Sequence, residues 1–283
     1  MNWFANHDEF FVGYISKMPT HTAKKLLWCV IIGALAMASI AIVLILNQRE
    51  FANTIFHSGE FTTLKGYLYK TPIPRLKVEK QSGIGVSESG QNILLVGEGK
   101  FGASATIAGY ELQLGNIEGK QIELTGELIQ GYGKSLMQIS SNHIPEIVSN
   151  EVHSGFGFQE LGKVTIEGEI VDPKCFFGAM KPGFGKTHLS CAIRCLSGGI
   201  PPVIYSTEKE DFYFILDENK QPMPSLLFSI MSDRVKLSGR ALQFEDWKIL
   251  LLNKNDYISD DNIEIIMNIA TMEEGITQCI SFN

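Results

Sequence analysis

The segment Ile122–Ile139, IELTGELIQGYGKSLMQI, contains a stretch of alternating apolar and polar residues, a turn at GYG and a second apolar stretch. The segment Val235–Leu252, VKLSGRALQFEDWKILLL, repeats this design, with V-K-L-S-G in the place of I-E-L-T-G. Alternation with a period of two is typical of a strand that buries one face. The two segments therefore predict two similar β-hairpins in separate parts of the chain.

Each predicted hairpin follows, further upstream, a strand with a central glycine: LKGYLY at Leu64–Tyr69 and VTIEGEIV at Val164–Val171. In between, NILLV is a predicted strand and ASATIAGYELQL a predicted helix in the first case. In the second case PPVIYS and DFYFILD are predicted strands and PSLLFSIM a predicted helix. We therefore predict two similar domains, residues 55–145 and 160–257. The central glycines suit the sharp coiling of barrel strands.

Five strands with a helix before the fourth form a pattern that resembles the OB-fold, a small Greek-key barrel. The resemblance covers about two thirds of the chain and lies in the order of the elements. The layout is similar to that of membrane-anchored OB-fold proteins of the bacterial periplasm, which include haem-delivery chaperones, although the histidine-and-tyrosine motif of those chaperones is absent. The expected fold class is mainly β: an N-terminal single transmembrane helix followed by two tandem OB-like five-stranded barrels.

The segment Leu26–Leu46, LLWCVIIGALAMASIAIVLIL, has 21 residues and no charge. At 1.5 Å per residue such a helix crosses the roughly 30 Å hydrocarbon layer of a membrane. The segment is longer than the apolar region of a cleavable signal peptide, usually about 7–15 residues, and no small-x-small cleavage site follows it. It therefore predicts a transmembrane helix that acts as an uncleaved signal-anchor.

The charges beside this segment predict its orientation. Lys17, Lys24 and Lys25 precede it, whereas Arg49 alone follows closely. Because positive flanks tend to stay in the cytoplasm, we expect residues 1–25 to be cytoplasmic and the domains after the helix to be exported. The predicted location is the inner membrane, with a single pass and periplasmic barrels.

The overall charge limits the classes of partner. The chain has 283 residues and a net charge of −7; residues 1–47 carry three Lys and two acidic residues, so the remainder has a net charge of −8. An acidic protein without clustered Lys and Arg is a poor match for nucleic acid. Nucleotides are excluded as well, because an exported domain meets few of them. We predict contact with the membrane through Leu26–Leu46 and a protein partner in the membrane or envelope.

Two glycine-rich segments resemble nucleotide-binding motifs. The segment Gly97–Gly102, GEGKFG, matches G-x-G-x-x-G, but no further βαβ units follow it, so we interpret it as a glycine-rich turn. The segment Gly183–Thr187, GFGKT, resembles the end of a phosphate-binding loop. Met180 stands where that loop requires its first glycine, which excludes this interpretation.

The candidate functional residues lie in one insertion of the second domain, residues 174–202, for which the first domain has no chemical counterpart. The insertion contains Cys175, His188, Cys191 and Cys195. Unusual chemistry in one loop of a repeated scaffold often marks the functional site. One imidazole and three thiols form a Cys₃His set that suits zinc, copper or iron.

The spacing within this insertion is helical. If Thr187–Leu196 forms a helix, His188, Cys191 and Cys195 share one of its faces. Thr187 is then the expected N-cap, and the Gly198-Gly199 pair is the expected stop.

Two other interpretations of the cysteines stay open. Exported cysteines are usually oxidised, so Cys175 is also predicted to form a disulfide with Cys191 or Cys195, with Cys279 as a potential fourth partner. A low-pKa thiol at Cys191 or Cys195 would instead suit redox chemistry.

The functional prediction is an exported, membrane-anchored binding or accessory protein that holds a metal or cofactor in this cluster. The alternative is a thiol redox enzyme that uses Cys191 or Cys195. The hydrolase motifs G-x-S-x-G and H-E-x-x-H are absent from the sequence. Residues 258–283 are predicted to form a C-terminal helical extension with Ile263 and Ile266 on one face.

The predicted orientation can be tested with a reporter that is active only outside the cytoplasm. We expect fusions after Gln48 and after Asn283 to be active, and a fusion before Lys17 to be inactive. N-terminal sequencing should recover the original N-terminal residues. A mature protein that begins near Arg49 would instead show that the apolar segment is cleaved.

Overall fold

The computed structural model describes residues 20–47, 53–79, 91–154, 157–206, 208, 210–252 and 257–259. The chain divides into two compact units, Met1–Phe51 and Ala52–Asn283. Most of the predicted cytoplasmic segment, residues 1–19, lies outside the described residues. So do residues 260–283 of the predicted helical extension and Cys279.

The first unit contains helix α1, Thr20–Asn47. Its 28 residues correspond to a length of about 42 Å. The mean hydropathy of its most apolar 18-residue window is 2.9, so the helix is long and apolar enough to cross a membrane. The predicted span Leu26–Leu46 lies within it, and the additional N-terminal turns contain Lys24 and Lys25.

The first barrel of the second unit has five strands in the order β1-β2-β3-β5-β4, and pairing of β1 with β4 closes it. Strands β3 and β5 are parallel, and the other neighbours in the barrel are antiparallel. An additional strand, β6, pairs with β4. The elements are β1 (Ile55–Tyr69), β2 (Arg75–Val78), β3 (Gln91–Val96), α2 (Ser104–Leu114), β4 (Lys120–Gly131), β5 (Lys134–Gln138) and β6 (Glu146–Val152).

The second barrel repeats this topology, with the order β7-β8-β9-β11-β10 and closure between β7 and β10. Its parallel pair is β9 and β11, and β12 pairs with β10. The elements are β7 (Gln159–Val171), α3 (Leu189–Ser197), β8 (Val203–Ser206), β9 (Asp211–Asp217), α4 (Pro224–Leu227), β10 (Arg234–Phe244), β11 (Trp247–Leu252) and β12 (Tyr257–Ser259). Three short turns complete it: a π-helical turn at Cys175–Ala179 and 3₁₀ turns at Lys186–His188 and Phe228–Ile230.

The predicted fold class is confirmed: two closed five-stranded barrels follow an apolar helix. Both predicted hairpins form, as β4–β5 and β10–β11. In the first hairpin, Tyr132 and Gly133 have φ angles of 51° and 70°, which is the two-residue turn that matches the twist of antiparallel strands. Strand β12 includes residues 258 and 259, where the sequence predicted the start of a helical extension.

Central glycines allow the strands of both barrels to approach each other closely. A Cβ atom at Gly168 of β7 would lie 2.1 Å from the carbonyl oxygen of Tyr205 in β8. A Cβ atom at Gly239 of β10 would lie 2.3 Å from the Leu251 oxygen in β11. The first barrel has the same contacts at corresponding strands, at Gly66 and Gly126. A larger residue at these positions would push neighbouring strands apart.

Three large apolar cores and a small cluster of Cys175, Cys195 and Ile200 lie among the described residues of the second unit. One lies inside each barrel. The third joins the barrels and combines residues of the first barrel, such as Leu94 and Ile129, with Phe177 and Trp247 of the second. Aromatic rings extend this contact, and Tyr132 of the first hairpin stacks on Phe176 with ring centroids 4.9 Å apart.

We expect Gly168→Ala to lower the free energy of unfolding by about 2 kcal/mol or more, because an added methyl group overpacks the β7–β8 contact. Chemical denaturation of the purified full chain in a non-ionic detergent measures this change. Gly109→Ala is the matched control, because nothing lies within 4 Å of its Cβ position and alanine favours a helix by about 1 kcal/mol. Equal stability of the two variants would contradict the proposed role of the strand glycine.

Candidate metal centre

The insertion that carries the predicted ligands begins where β7 ends. Asp172 follows the last residue of β7, and its Oδ1 accepts a hydrogen bond of 2.9 Å from the Cys175 backbone N–H. This bond starts the π-helical turn at Cys175–Ala179. Phe176 and Phe177 of the turn are buried in the core that joins the barrels. Cys175, the first predicted ligand, is therefore attached directly to residues buried in the core that joins the barrels.

The other three predicted ligands lie on α3 or directly before it. The helix begins at Leu189, with His188 at the N-cap position and no side-chain cap. The prediction that Thr187 caps the helix is wrong, because residues 186–188 form a 3₁₀ turn instead. The predicted stop is confirmed: Gly198 donates its N–H to carbonyl oxygens of the last turn.

Two groups of described residues have ligand atoms close enough to hold a metal ion, Cys175 with His188 and Cys191, and Cys175 with Asp172 and Cys195, and neither group contains all four predicted ligands. The sulfur of Cys175 lies 3.8 Å from that of Cys191 and 4.0 Å from that of Cys195. Ligand atoms of Cys175, Cys191 and His188 lie within 4.8 Å of one another, so this group could hold a metal ion. Cys191 is half-buried, and the other three side chains are buried.

The described cysteines are free thiols, so the predicted disulfide of Cys175 with Cys191 or Cys195 is not found in the part of the chain that the structure describes. The sulfur separations of 3.8 and 4.0 Å are much longer than the roughly 2.05 Å of a disulfide bond. Two thiolates on one tetrahedral zinc ion, each about 2.3 Å from it, lie about 3.8 Å apart. Thiols that only pack together can have a similar separation. The surroundings of His188 are therefore needed to distinguish a metal site from packed thiols.

His188 is held by an acidic residue that the sequence analysis did not identify. Its Nε2 lies 2.8 Å from Oδ2 of Asp172, and both side chains are almost fully buried. Its other ring nitrogen, Nδ1, is buried and has no hydrogen-bond partner. When Nε2–H donates to the carboxylate, Nδ1 keeps a free lone pair. Histidine ligands of metals usually have this arrangement, in which a carboxylate orients the ring.

Asp172 contacts two of the predicted ligands and also belongs to a metal-compatible group with Cys175 and Cys195. One carboxylate oxygen accepts the bond from the Cys175 N–H, and the other contacts His188. The only sequence signal for this role is the spacing of Asp172, three residues before Cys175. Such a spacing is too common to identify a residue without the structure.

The first barrel contributes to the site through the predicted glycine-rich turn between β3 and α2. The buried ammonium group of Lys174 donates hydrogen bonds of 2.7 Å to the carbonyl oxygens of Gly97 and Gly99. Burial lowers the pKa of Lys174. Gly102 donates its N–H to the Gly198 oxygen at 2.9 Å. These bonds fix the turn of the first barrel against the end of α3.

This turn also places a cation beside the thiols. The exposed Lys100 contacts the sulfur of Cys191 through Nζ, and this hydrogen bond raises the pKa of Lys100. Cys175 and Cys195 form a buried, hydrogen-bonded pair. Their hydrogen bond, together with burial, raises the pKa of Cys175, whereas the same bond lowers the pKa of Cys195. Lys100 lies 91 residues before Cys191 in the chain, so no local pattern could have connected them.

Comparison with known proteins identifies no relative: no protein-family model matches the chain, and no curated protein and no solved structure matches it.

We expect Lys174→Met to lower the free energy of unfolding by about 1–3 kcal/mol, because two carbonyl oxygens of the first barrel lose their buried donor. Denaturation of the full chain in non-ionic detergent measures the loss. Lys163→Met is the matched control, because Lys163 is exposed on β7, and it should change stability by less than about 0.5 kcal/mol. A Lys174→Met protein as stable as the control would show that the two hydrogen bonds do not hold the turn.

Proposed function

We propose that this protein is a membrane-anchored binding protein that holds one transition-metal ion, zinc, copper or iron, with Cys175, His188, Cys191 and Cys195. The observation that carries the proposal is the buried, unpartnered Nδ1 of His188 in a cluster with Cys175 and Cys191. An unsatisfied buried nitrogen costs about 1–3 kcal/mol. A bound metal ion would remove this cost and use the lone pair.

A second histidine has a similar unpartnered nitrogen but no cysteines grouped with it among the described residues. His143 also has a buried Nδ1 without a partner. Its ring packs on Phe61, with centroids 4.5 Å apart, and it belongs to none of the metal-compatible clusters found among the described residues. An unpartnered nitrogen alone is therefore no evidence of a metal site. Its combination with thiols and a carboxylate that orients the ring supports one at His188.

The ligand types favour a particular class of ion. Thiolate and imidazole ligands suit zinc, copper and iron, whereas magnesium and calcium require oxygen ligands. Metal binding requires deprotonated thiols. The ammonium groups of Lys100 and Lys174 offset part of the resulting negative charge. Cys191 is half-buried beside the exposed Lys100, so this side of the cluster is partly open to solvent.

The anchor supports a role at the membrane surface. Helix α1 has the length and hydropathy of a membrane span. The lysines at positions 17, 24 and 25 favour an orientation with exported barrels. In this orientation the barrels would be tethered to an inner membrane, and the protein would act as an accessory subunit for an envelope protein.

The alternative function is thiol redox exchange, and the proximity of the three thiols supports it. Cys175 is within 4.0 Å of both other sulfurs. Cys175 and either neighbour could form a disulfide while a partner protein's disulfide is reduced. Two electrons and two protons then pass from the two thiols to the partner, which is left with two thiols. This reaction uses the cysteines alone, and His188 has no part in it.

The two functions are distinguished by metal binding to the full chain, purified in non-ionic detergent and loaded separately with Zn²⁺, Cu⁺, Fe²⁺ and Co²⁺. We expect about one equivalent of metal and thiolate-to-Co²⁺ charge-transfer absorption. His188→Ala and Cys191→Ser should weaken binding at least about ten-fold, and Asp172→Asn about ten- to one-hundred-fold. His143→Ala is the matched control and should bind metal as the wild type does.

Circular dichroism of each variant separates loss of a ligand from loss of folding. Wild-type protein that retains no metal would contradict the metal-binding proposal, as would a folded His188→Ala variant with unchanged metal affinity. If the wild type binds no metal and instead forms a reversible disulfide at Cys175, the redox function is supported.

A further inference from the structure

A cavity of about 460 Å³ lies between the two barrels and is lined by residues of both. The first barrel contributes Tyr69, Arg75 and Glu118 to its wall, and the second contributes Lys220 and Phe244. Its volume is within the range of pockets that bind small molecules. None of the four proposed metal ligands lines this cavity, so it is separate from the proposed metal site.

Arg75 is the residue of this wall that most needs a partner. Its side chain is 1% exposed, and its guanidinium carbon lies 4.5 Å from the ring centroid of Tyr69 and 4.3 Å from that of Phe244. Nη1 donates one hydrogen bond of 2.6 Å to the Thr71 oxygen, whereas Nε is buried without a partner. Burial lowers the pKa of Arg75 to about 10, so the group remains a cation at neutral pH.

No carboxylate of the described residues forms an ion pair with Arg75. Glu245 is close enough to affect its pKa, but its two oxygens bind Lys77 and Asn92. Glu118 also lines the cavity and makes no ion pair with Arg75. A buried cation without a counter-ion is costly, because neither water nor a paired charge replaces its hydration. The two aromatic faces compensate for this only in part.

A second cation faces the same cavity. Lys220 is half-buried, and its ammonium group lies 4.2 Å from the ring centroid of Phe158. It forms no ion pair with the residues that the structure describes. Phe158 stacks on Phe244 with centroids 4.7 Å apart, so the two rings form an apolar wall between the cations. The cavity thus combines two cations with an aromatic surface.

We propose that this cavity binds a small organic carboxylate. The carboxylate group lies at the wall beside Arg75, whose buried positive charge attracts it, and Lys220 provides the second positive charge. The hydrocarbon part of the ligand packs on Phe158 and Phe244. An inorganic anion would satisfy the cations but not the aromatic wall, and for this reason an organic acid is the better match.

Benzoate is a suitable probe because it has a carboxylate on an apolar ring. It is titrated into the full chain in non-ionic detergent, followed by calorimetry and by the melting temperature, with benzamide as the neutral control. We expect benzoate to bind with a dissociation constant in the millimolar range or lower and to raise the melting temperature. Benzamide should bind at least about ten-fold more weakly, because it lacks the charge.

Variants assign the binding to this cavity. Arg75→Met should weaken benzoate binding at least about ten-fold, and Lys220→Met about three-fold or more. Lys65→Met is the matched control, because Lys65 is exposed on β1 away from the cavity, and it should bind benzoate as the wild type does. Glu118→Gln removes a negative charge from the wall and should strengthen binding.

If Arg75→Met fails to fold by circular dichroism, Lys220→Met and Glu118→Gln decide the test. Absence of benzoate binding to the wild type would overturn the proposal. So would unchanged binding in the folded cavity variants, or weaker binding in Glu118→Gln. Inorganic phosphate is tested in the same way. If it binds as tightly as benzoate and depends on Arg75 to the same extent, the cavity is a site for inorganic anions, and the assignment of an organic carboxylate is overturned.

Discussion

Closure of both barrels depends on close contact between strand glycines and the backbone of the neighbouring strand. Gly168 and Gly239 of the second barrel, and Gly66 and Gly126 of the first, have no space for a Cβ atom. At each of these positions the first or the fourth strand of a barrel can coil tightly enough to pair with the strands on both of its sides. The insertion with the cysteines leaves β7 three residues after Gly168, so its starting point and direction follow from this closure.

Packing of the two barrels against each other creates both candidate sites. The apolar core between them buries Phe177 of the insertion and thereby fixes Cys175. It also brings the turn with Lys100 to the thiols and places Phe244 over Arg75. The four proposed metal ligands all belong to the second barrel, whereas both barrels line the cavity at Arg75, so a ligand in that cavity would stabilise the pair.

The buried polar groups of the second unit differ in how many hydrogen-bond partners the folded chain provides for them. Lys174 is buried but donates to two carbonyl oxygens, and this makes it a structural residue. His188 and Arg75 are equally buried, and each keeps a nitrogen without a partner. Stable folding selects against such groups unless something else binds them, so they are the natural places to look for ligands. The metal is proposed because thiols surround His188, and the carboxylate because a cavity adjoins Arg75.

The sequence alone predicted the two hairpins, the two barrels and the apolar helix, because period-two alternation, central glycines and a long uncharged run are local patterns. It also identified the cysteines and His188 as one cluster, because a single insertion carries all of them. Only the tertiary structure reveals the contacts of Asp172 and Lys100, the 3₁₀ turn before α3 and the burial of Arg75. Lys100 meets Cys191 across 91 residues, and Lys77 meets Glu245 across 168. Such contacts follow from how two closed barrels pack, and side-chain packing over these separations leaves no periodic trace in the chain.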